Sequence, residues 1–373
     1  MPASILSIGT AVPETRLPQE HVRDLFAAQP GADRLTQRLI HAAFDAAAID
    51  TRHTVLAALA ADATASAADP GLPVLAGGVL QAPSTAARND AFVRWAPPLF
   101  ADAARDALAA ARVEPHEVTH VVTVSCTGLF APGPDFRLVR DLGLPATVER
   151  FHLGFVGCAA ALPALRLAAS LCAADPAAVV VVACAELCTL HFRPSADPEQ
   201  IVAASVFADG AAAAVVSARD DLTARTGLPR FELTRFGTAL TDDGERDMVW
   251  TIGDAGFEMT LSAEVPRIIG REIRAAVGRF LGDDEPGAWA VHPGGRSVLD
   301  RVESGLDLPA DALATSREVL RTHGNMSSAT ILFILAKMLA DAGTAVSPTV
   351  AALAFGPGLT VESALLTVRE GAA

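Results

Sequence analysis

Three residues with complementary chemistry stand where elements of the chain begin or end. Cys158 lies in Phe155-Val-Gly-Cys-Ala-Ala-Ala-Leu, after the strand-like Arg150 to Leu153 and before an alanine-rich helical run. Unsatisfied amides and the macrodipole at a helix N-terminus favour the thiolate, the nucleophilic form of cysteine. Gly157 permits a tight turn just ahead of the sulfur. His292, in Trp289-Ala-Val-His-Pro-Gly-Gly, ends a short strand at the edge where open α/β sheets bind ligands. A neutral imidazole there can donate to a developing oxyanion and assist proton movement. Asn325, in His323-Gly-Asn-Met-Ser-Ser-Ala, opens another helix and offers a second, non-titrating donor. A nucleophile with two polarising donors is the logic of acyl transfer. Each residue also has a plainer reading: a buried structural thiol, a strand-end histidine, a helix-capping asparagine. With nine histidines and five cysteines in the chain, accidental trios are possible, so these residues alone leave both readings open.

Composition narrows the classes of function. The 373 residues hold 51% apolar and 19% charged side chains, which indicates a globular chain of about two domain lengths. A net charge of −14 repels phosphate backbones and argues against a nucleic-acid partner. Apolar runs such as Ala177 to Ala185 stop short of the roughly 18 residues of a membrane span. No basic segment precedes the first apolar stretch, so the expectation is a cytoplasmic protein. Lys337 is the only lysine, and it follows no glycine-rich loop, which excludes a P-loop and a pyridoxal-phosphate Schiff base. The five cysteines form no Cys-x-x-Cys pair, so neither a metal site nor a disulfide framework is expected. Cys172 in mid-helix and Cys184 at a strand end are assigned to the core.

The elements that must position the trio alternate in the manner of an α/β protein with a covered sheet. Strands are expected at Ser4 to Ile8, Val118 to Val124, Val179 to Cys184, Ala211 to Ser217, Arg230 to Phe236, Ala288 to His292, Val350 to Phe355 and Val361 to Val368. Helices are expected at Arg34 to Ala47, Asn89 to Ala111, Ala159 to Ala173, Val265 to Leu281, Ser297 to Gly305 and Met326 to Ala340. Ala60 to Pro73 reads as a loop, and the polar Ala218 to Pro229 as a boundary between halves 1–220 and 221–373. Apolar strand pairs about Phe207-Ala-Asp-Gly-Ala and Phe355-Gly-Pro-Gly-Leu hint at internal duplication.

Four motifs in order, Gly157-Cys-Ala-Ala, Ala290-Val-His-Pro-Gly-Gly, Gly324-Asn-Met-Ser-Ser-Ala and Phe355-Gly-Pro-Gly-Leu-Thr, closely resemble the type III polyketide synthases, the chalcone synthase family. Ser125-Cys-Thr-Gly, Pro132-Gly-Pro-Asp and Phe207-Ala-Asp-Gly-Ala-Ala-Ala match as well, so the resemblance covers nearly the whole chain. It implies a thiolase-like duplicated α-β-α-β-α fold of five layers, a homodimer, and a catalytic triad of Cys158, His292 and Asn325. It also implies that Cys158 carries an acyl starter taken from a CoA thioester, while His292 and Asn325 stabilise the enolate formed as malonyl-CoA decarboxylates. No cofactor and no metal are implied.

By the same resemblance the substrate cavity is formed by Cys126, Glu186, Cys188, His191, Ala203, Phe207, Trp250, Met259 and Ser327. Phe207 is one gatekeeper, and Met259 stands where the family keeps a second phenylalanine. Trp250 replaces a glycine and should change the cavity volume, while Cys126 is expected to fill space. Ala131 stands where plant members extend a methionine into the partner's cavity. Plant members carry three basic residues for CoA on the early helix, but the matching positions here are Leu39, Ala42 and Ala46. Neighbouring Arg34, Arg38 and His41 are the substitutes the sequence offers for CoA, with a starter bound to an acyl-carrier protein as the other option. Leu187-Cys-Thr-Leu-His-Phe-Arg-Pro-Ser looks more like bacterial alkylresorcinol and alkylpyrone synthases, which implies a fatty acyl starter. The rivals are a same-fold ketoacyl synthase that condenses once on an acyl-carrier protein, a noncatalytic partner subunit with this fold, and a cysteine hydrolase.

Overall fold

The computed structural model describes residues 2–61, 71–341 and 349–371. Most of the Ala60 to Pro73 loop reading therefore lies outside the described residues. Nine strands form the main sheet: β1 (Ser4–Ala11), β2 (His120–Ser125), β3 (Glu149–Gly154), β4 (Val179–Leu187), β5 (Asp209–Ser217), β6 (Arg230–Leu240), β7 (Ala288–Val291), β8 (Thr349–Gly356) and β9 (Thr360–Arg369). Their spatial order is β7-β8-β9-β6-β1-β5-β4-β2-β3. β4 and β5 are buried along their full length, and their unbroken Val/Ala runs are what two covered faces require.

The topology carries the duplication that the motifs hinted at. In the first half β1 pairs antiparallel with β5, β5 antiparallel with β4, and β4 parallel with β2. In the second, β6 pairs antiparallel with β9, β9 antiparallel with β8, and β8 parallel with β7. β1 and β6 join the halves through Ser4 opposite Glu232 and Ile5 opposite Phe231. The strand pair at Gly356 to Thr360 is a tight hairpin, whereas β4 and β5 are linked through residues 188–208.

Eight helices matter for the site: α1 (Arg34–Ala46), α2 (Thr85–Ala111), α3 (Ala161–Ala174), α4 (Pro198–Val206), α5 (Val265–Leu281), α6 (Arg296–Gly305), α7 (Ala314–His323) and α8 (Thr330–Ala340). α3 touches β2, β4 and β5 on one side and β6 and β9 on the other, and α8 touches β1, β5 and β7. α2 covers β1, β4 and β5 from outside, while α5 covers β6 and β9. The result is the five-layered thiolase-like arrangement, with α3 and α8 in the middle. Leu162 and Leu165 of α3 share one buried cluster with Ile331 and Leu335 of α8. Helices this apolar on all sides must be enclosed.

Several elements differ from the sequence expectation. The polar Ala218 to Pro229 contains a helix, Asp220–Thr226, ended by Gly227 at φ +61°. Arg219 and Arg225 both pair with Asp221 and with Glu117, so the polarity of this segment is that of a charged helix surface. The expected helix from Met326 begins as a 3-10 turn, Ser327–Ala329, and is α-helical only from Thr330. α4, α7 and the hairpin Met248–Gly253/Gly256–Leu261 were not anticipated. The α4 start was legible: Asp197 caps the Glu199 amide at 2.9 Å and Pro198 sits in the first turn.

Candidate active site

The duplicated topology places Cys158 three residues before α3 and Asn325 five before α8, so the two buried helices aim their starts at one region. His292 follows β7 as Cys126 follows β2, the equivalent strand of the first half. Conserving these positions in space needs close backbone contacts. Gly157 adopts φ +81°, and a Cβ there would lie 2.3 Å from Pro357 Cδ, so glycine is required on both counts. The Gly-Pro-Gly turn of β8 and β9 thus packs directly against the residue preceding Cys158. On the other side, the Phe207-Ala-Asp-Gly segment pairs with the Asn325 segment: Asn325 N donates to Val206 O at 2.8 Å and Ala208 N to Asn325 O at 2.9 Å. A Cβ on Gly210 would collide with Met326 Sδ at 2.4 Å.

Arg52 locks this junction from beneath. It is fully buried and donates to the carbonyls of Ala204 at 2.7 Å, Ser205 at 2.7 Å and Phe207 at 2.6 Å. Burial pulls its pKa down to about 9, against the opposing pull of Asp209, so the guanidinium stays charged near neutrality.

Cys158, His292 and Asn325 line one open cleft of about 990 Å³. Asn325 Oδ1 accepts from Ser327 N at 2.8 Å, and Nδ2 donates to Gly294 O at 3.3 Å. The capping and donor readings of this side chain therefore use its two ends: the oxygen holds the turn, leaving the amide hydrogens as donors. His292 is fully buried, its backbone N–H held by Leu353 O at 2.8 Å, and neither ring nitrogen has a protein partner. Burial pulls its pKa down to about 3, so the ring rests neutral.

Cys158 departs from the helix-terminus expectation. Burial pushes its thiol up to about 11, although the side chains of Ser327 and Asn325 hydrogen-bond it and pull the other way. A helix start three residues away does not offset the loss of water around the sulfur. Separately, the thiol and the imidazole each resist charging. A proton passed from sulfur to ring would charge both at no change in net charge.

A second, inner chamber begins at the same sulfur. Cys158, Phe207, Met248 and Met259 line both spaces, so Phe207 and Met259 stand at the passage between them, with Met248 as a third member the sequence did not indicate. The chamber is lined further by Cys126, Cys188, His191, Ala203, Trp250 and Ser327, as the motifs implied. Its volume is about 50 Å³, room for roughly four water molecules. Trp250 is one of its aromatic walls. Its Nε1 donates to Cys126 O at 2.7 Å, and its ring meets His191 and Phe257 edge-on at 5.6 and 5.9 Å. His191 stacks on Phe257 at 4.4 Å. Its Nε2–H donates to Thr127 O and its Nδ1 accepts from Phe257 N, both at 2.9 Å, so both ring nitrogens are used structurally. Burial holds its pKa near 3.

Two expectations are corrected. Glu186 lines neither space: it is fully buried behind Cys126, accepting from Cys126 N and Thr127 Oγ1 at 2.9 Å and from Ser328 Oγ at 2.5 Å. Burial raises its pKa, with those donors opposing. It braces the wall rather than meeting substrate. Cys126 Sγ likewise accepts from Gly157 N at 3.0 Å, holding the turn before Cys158. Arg34, Arg38 and His41 are exposed on α1 but do not line the cleft, which receives Ala43, Ala46 and Ala47 from that helix. At about 100° per residue the two sets project from opposite sides of α1, a phase that proximity in sequence ignores.

Among the described residues no group of three potential ligands could hold a metal ion, and no helix is long and apolar enough to cross a membrane. Residues 1–220 match the family model for chalcone and stilbene synthases, N-terminal domain, and residues 238–369 match the C-terminal domain. The chain is a type III polyketide synthase of the chalcone and stilbene synthase family. The synthase is 34% identical to bisdemethoxycurcumin synthase of Oryza sativa subsp. japonica, over 76% of this chain and 74% of that one. It is 30% identical over 97% of its length to probable polyketide synthase 1 of Dictyostelium discoideum, but spans only 11% of that protein. The type III polyketide synthase domain of Steely1 from Dictyostelium superposes with a TM-score of 0.84 at 28% identity, covering 98% of this chain and 99% of that one. The synthase is accordingly an acyltransferase, and enzymes of this family act on CoA thioesters without a cofactor.

Proposed function

We propose that the synthase, with halves 1–220 and 221–373, catalyses iterative decarboxylative condensation of malonyl-CoA onto an acyl starter held on Cys158, followed by cyclisation to a small pyrone, resorcinol or related ring. The observation that carries this reading is that Cys158 lies at the junction of two spaces, a cleft holding His292 and Asn325 and an inner chamber beyond Phe207 and Met259. In loading, Cys158 Sγ gives its proton to His292 Nε2 and attacks the thioester carbonyl; CoA leaves as the thiolate, to be protonated by solvent, and the ring keeps the proton on Nε2. In extension, malonyl-CoA loses carbon dioxide, and the charge left on the thioester oxygen is met by His292 Nε2–H and Asn325 Nδ2–H. The enolate carbon then attacks the acyl carbonyl, releasing the Cys158 thiolate and leaving the chain, longer by two carbons, on CoA for reloading. A cytoplasmic homodimer belongs to the same proposal, and exposed Leu129 and Val156, close in sequence to Cys126 and Cys158, are available to a partner copy.

The chamber volume favours a starter of few carbons over the fatty acyl group that the Leu187 to Ser195 segment brings to mind; a fatty tail would have to stay in the outer cleft. The test is incubation of the protein with malonyl-CoA and acyl-CoAs from acetyl to long-chain, with products identified by mass spectrometry. Several extensions and a ring on short starters are expected. One extension would mark a ketoacyl synthase, and free acid alone a hydrolase. Trp250→Gly is expected to open the chamber and raise kcat/KM for a medium-chain starter relative to acetyl-CoA by about tenfold or more, since each methylene accommodated is worth roughly that. An unchanged starter ratio would show that Trp250 does not set chain length.

A further inference from the structure

We propose that Arg267, Arg296 and Arg301 form the site for the phosphate groups of the CoA thioester, on the α5 and α6 wall of the outer cleft. This rests on the reading of the cleft as the approach to Cys158. The cleft-facing side of α1 is neutral, with Ala43, Ala46 and Ala47; of the acidic groups of the lining, Asp197 and Glu199 lie at the start of α4 and Asp300 on α6 itself. All three cations of the lining therefore come from one wall. With three arginines against the single lining carboxylate Asp300, that wall is net positive in a chain of net charge −14, which favours docking of an anionic donor there.

The three side chains are exposed and weakly committed. Arg267 pairs with Glu264 one turn earlier on α5, both largely solvated. Arg296 lies 3.5 Å from Asp300, a long contact, and Asp300 gives its other oxygen to Arg317 at 2.8 Å. Among the described residues no carboxylate is within ion-pair distance of Arg301. Exposed pairs of this kind contribute little and are readily exchanged for a phosphate. Arg301 is also placed deliberately: Gly270 of α5 leaves room for its stem, since a Cβ there would meet Arg301 Cδ at 3.3 Å. Gly294, Gly295, Arg296 and Ser297 line the same wall and begin the ten-residue α6, whose N-terminus has no side-chain cap. Open amides at that helix start add to the attraction for an anion. His292 and Cys158 lie on the same cleft, so a pantetheine arm anchored at this wall has a continuous route to the sulfur.

The experiment compares the wild type, the triple variant Arg267→Gln/Arg296→Gln/Arg301→Gln and the double variant Arg34→Gln/Arg38→Gln. Titration calorimetry with free CoA and with pantetheine measures binding without turnover. Kinetics with malonyl-CoA, malonyl-pantetheine and malonyl-acyl-carrier protein then measure use. The triple variant should bind CoA about tenfold or more weakly, lose the same factor in preference for malonyl-CoA over malonyl-pantetheine, and show a flattened salt dependence, while pantetheine affinity is held. Three results overturn the proposal: CoA affinity within about twofold of wild type in the triple variant, equal loss of CoA and pantetheine binding, or loss of CoA binding in the α1 double variant instead. A change confined to the carrier-protein substrate overturns it too. Were CoA binding lost as expected while no polyketide formed with any starter, the proposed function would fail and the phosphate site would stand.

Discussion

Cys158→Ala is expected to lower polyketide formation by about 10⁴-fold or more while leaving decarboxylation of malonyl-CoA measurable. The sulfur is the atom to which the starter must be bonded, and no neighbouring group can replace it: Cys126 Sγ is engaged by the Gly157 amide at 3.0 Å, and burial together with Glu186 holds its pKa well above the ordinary thiol value. Cys188 also lines the chamber, but burial together with Glu186 and Asp209 raises its thiol well above the ordinary value. Decarboxylation, in contrast, needs donors where charge develops; His292 lines the same cleft, and Asn325 is also held by Ser327 N and Gly294 O, contacts that survive loss of the thiol. The measurement is carbon dioxide release and product mass from the same incubation. Loss of both together would mean that the thiol also organises the donors, and retained product would place the acyl chain on another residue.

His292→Ala is expected to lower both processes, decarboxylation by about 10²- to 10³-fold for the lost donor and loading further for the lost proton acceptor. The pH dependence separates these roles. Burial holds Cys158 as a thiol pushed up to about 11, and removing the ring takes away the proposed acceptor for its proton. Because that pKa is raised, the thiolate is the minor form at every lower pH, and near pH 7 only about one thiol in 10⁴ is ionised. Alkylation of Cys158 by iodoacetamide, followed on its own peptide by mass spectrometry, should fall by about 10² or more at pH 7 relative to wild type. In the variant it should then climb about tenfold per pH unit toward pH 11. Equal alkylation of wild type and variant at neutral pH would show that the sulfur's proton does not go to His292.

Both expectations depend on a buried pair in which neither member ionises readily alone. Stability and function pull apart here. Two orphaned nitrogens on a fully buried imidazole are costly in a folded chain, by about 1–3 kcal/mol for each unmet polar group. Their retention makes sense where the partner is a transferred proton or the oxygen of a substrate.

Much of this was written in the order of residue types. The Val/Ala strands, the alanine-rich helices and the motif residues Cys158, His292 and Asn325 are local features, because a strand buried on both faces and a turn needing glycine each restrict their own few residues. That two glycine-containing motifs from opposite ends of the chain interlock, Gly157 against Pro357 and Gly210 against Met326, follows from motif identity only after the fold is known. What local pattern could not reach was anything set by phase or by the loss of water. Arg34, Arg38 and His41 neighbour the right helix positions but project away from the cleft, while Arg267, Arg296 and Arg301, some 230 residues further on, line it. Glu186 matches a cavity position yet faces three hydroxyls and an amide behind the wall. The helix start before Ala161 argued for an ionised sulfur, and enclosure by distant segments reversed it. Composition and spacing determined which chemistry this chain could attempt. Which face each group presents, and how much water remains around it, are sums over contacts from far along the chain, and only the tertiary structure supplies them.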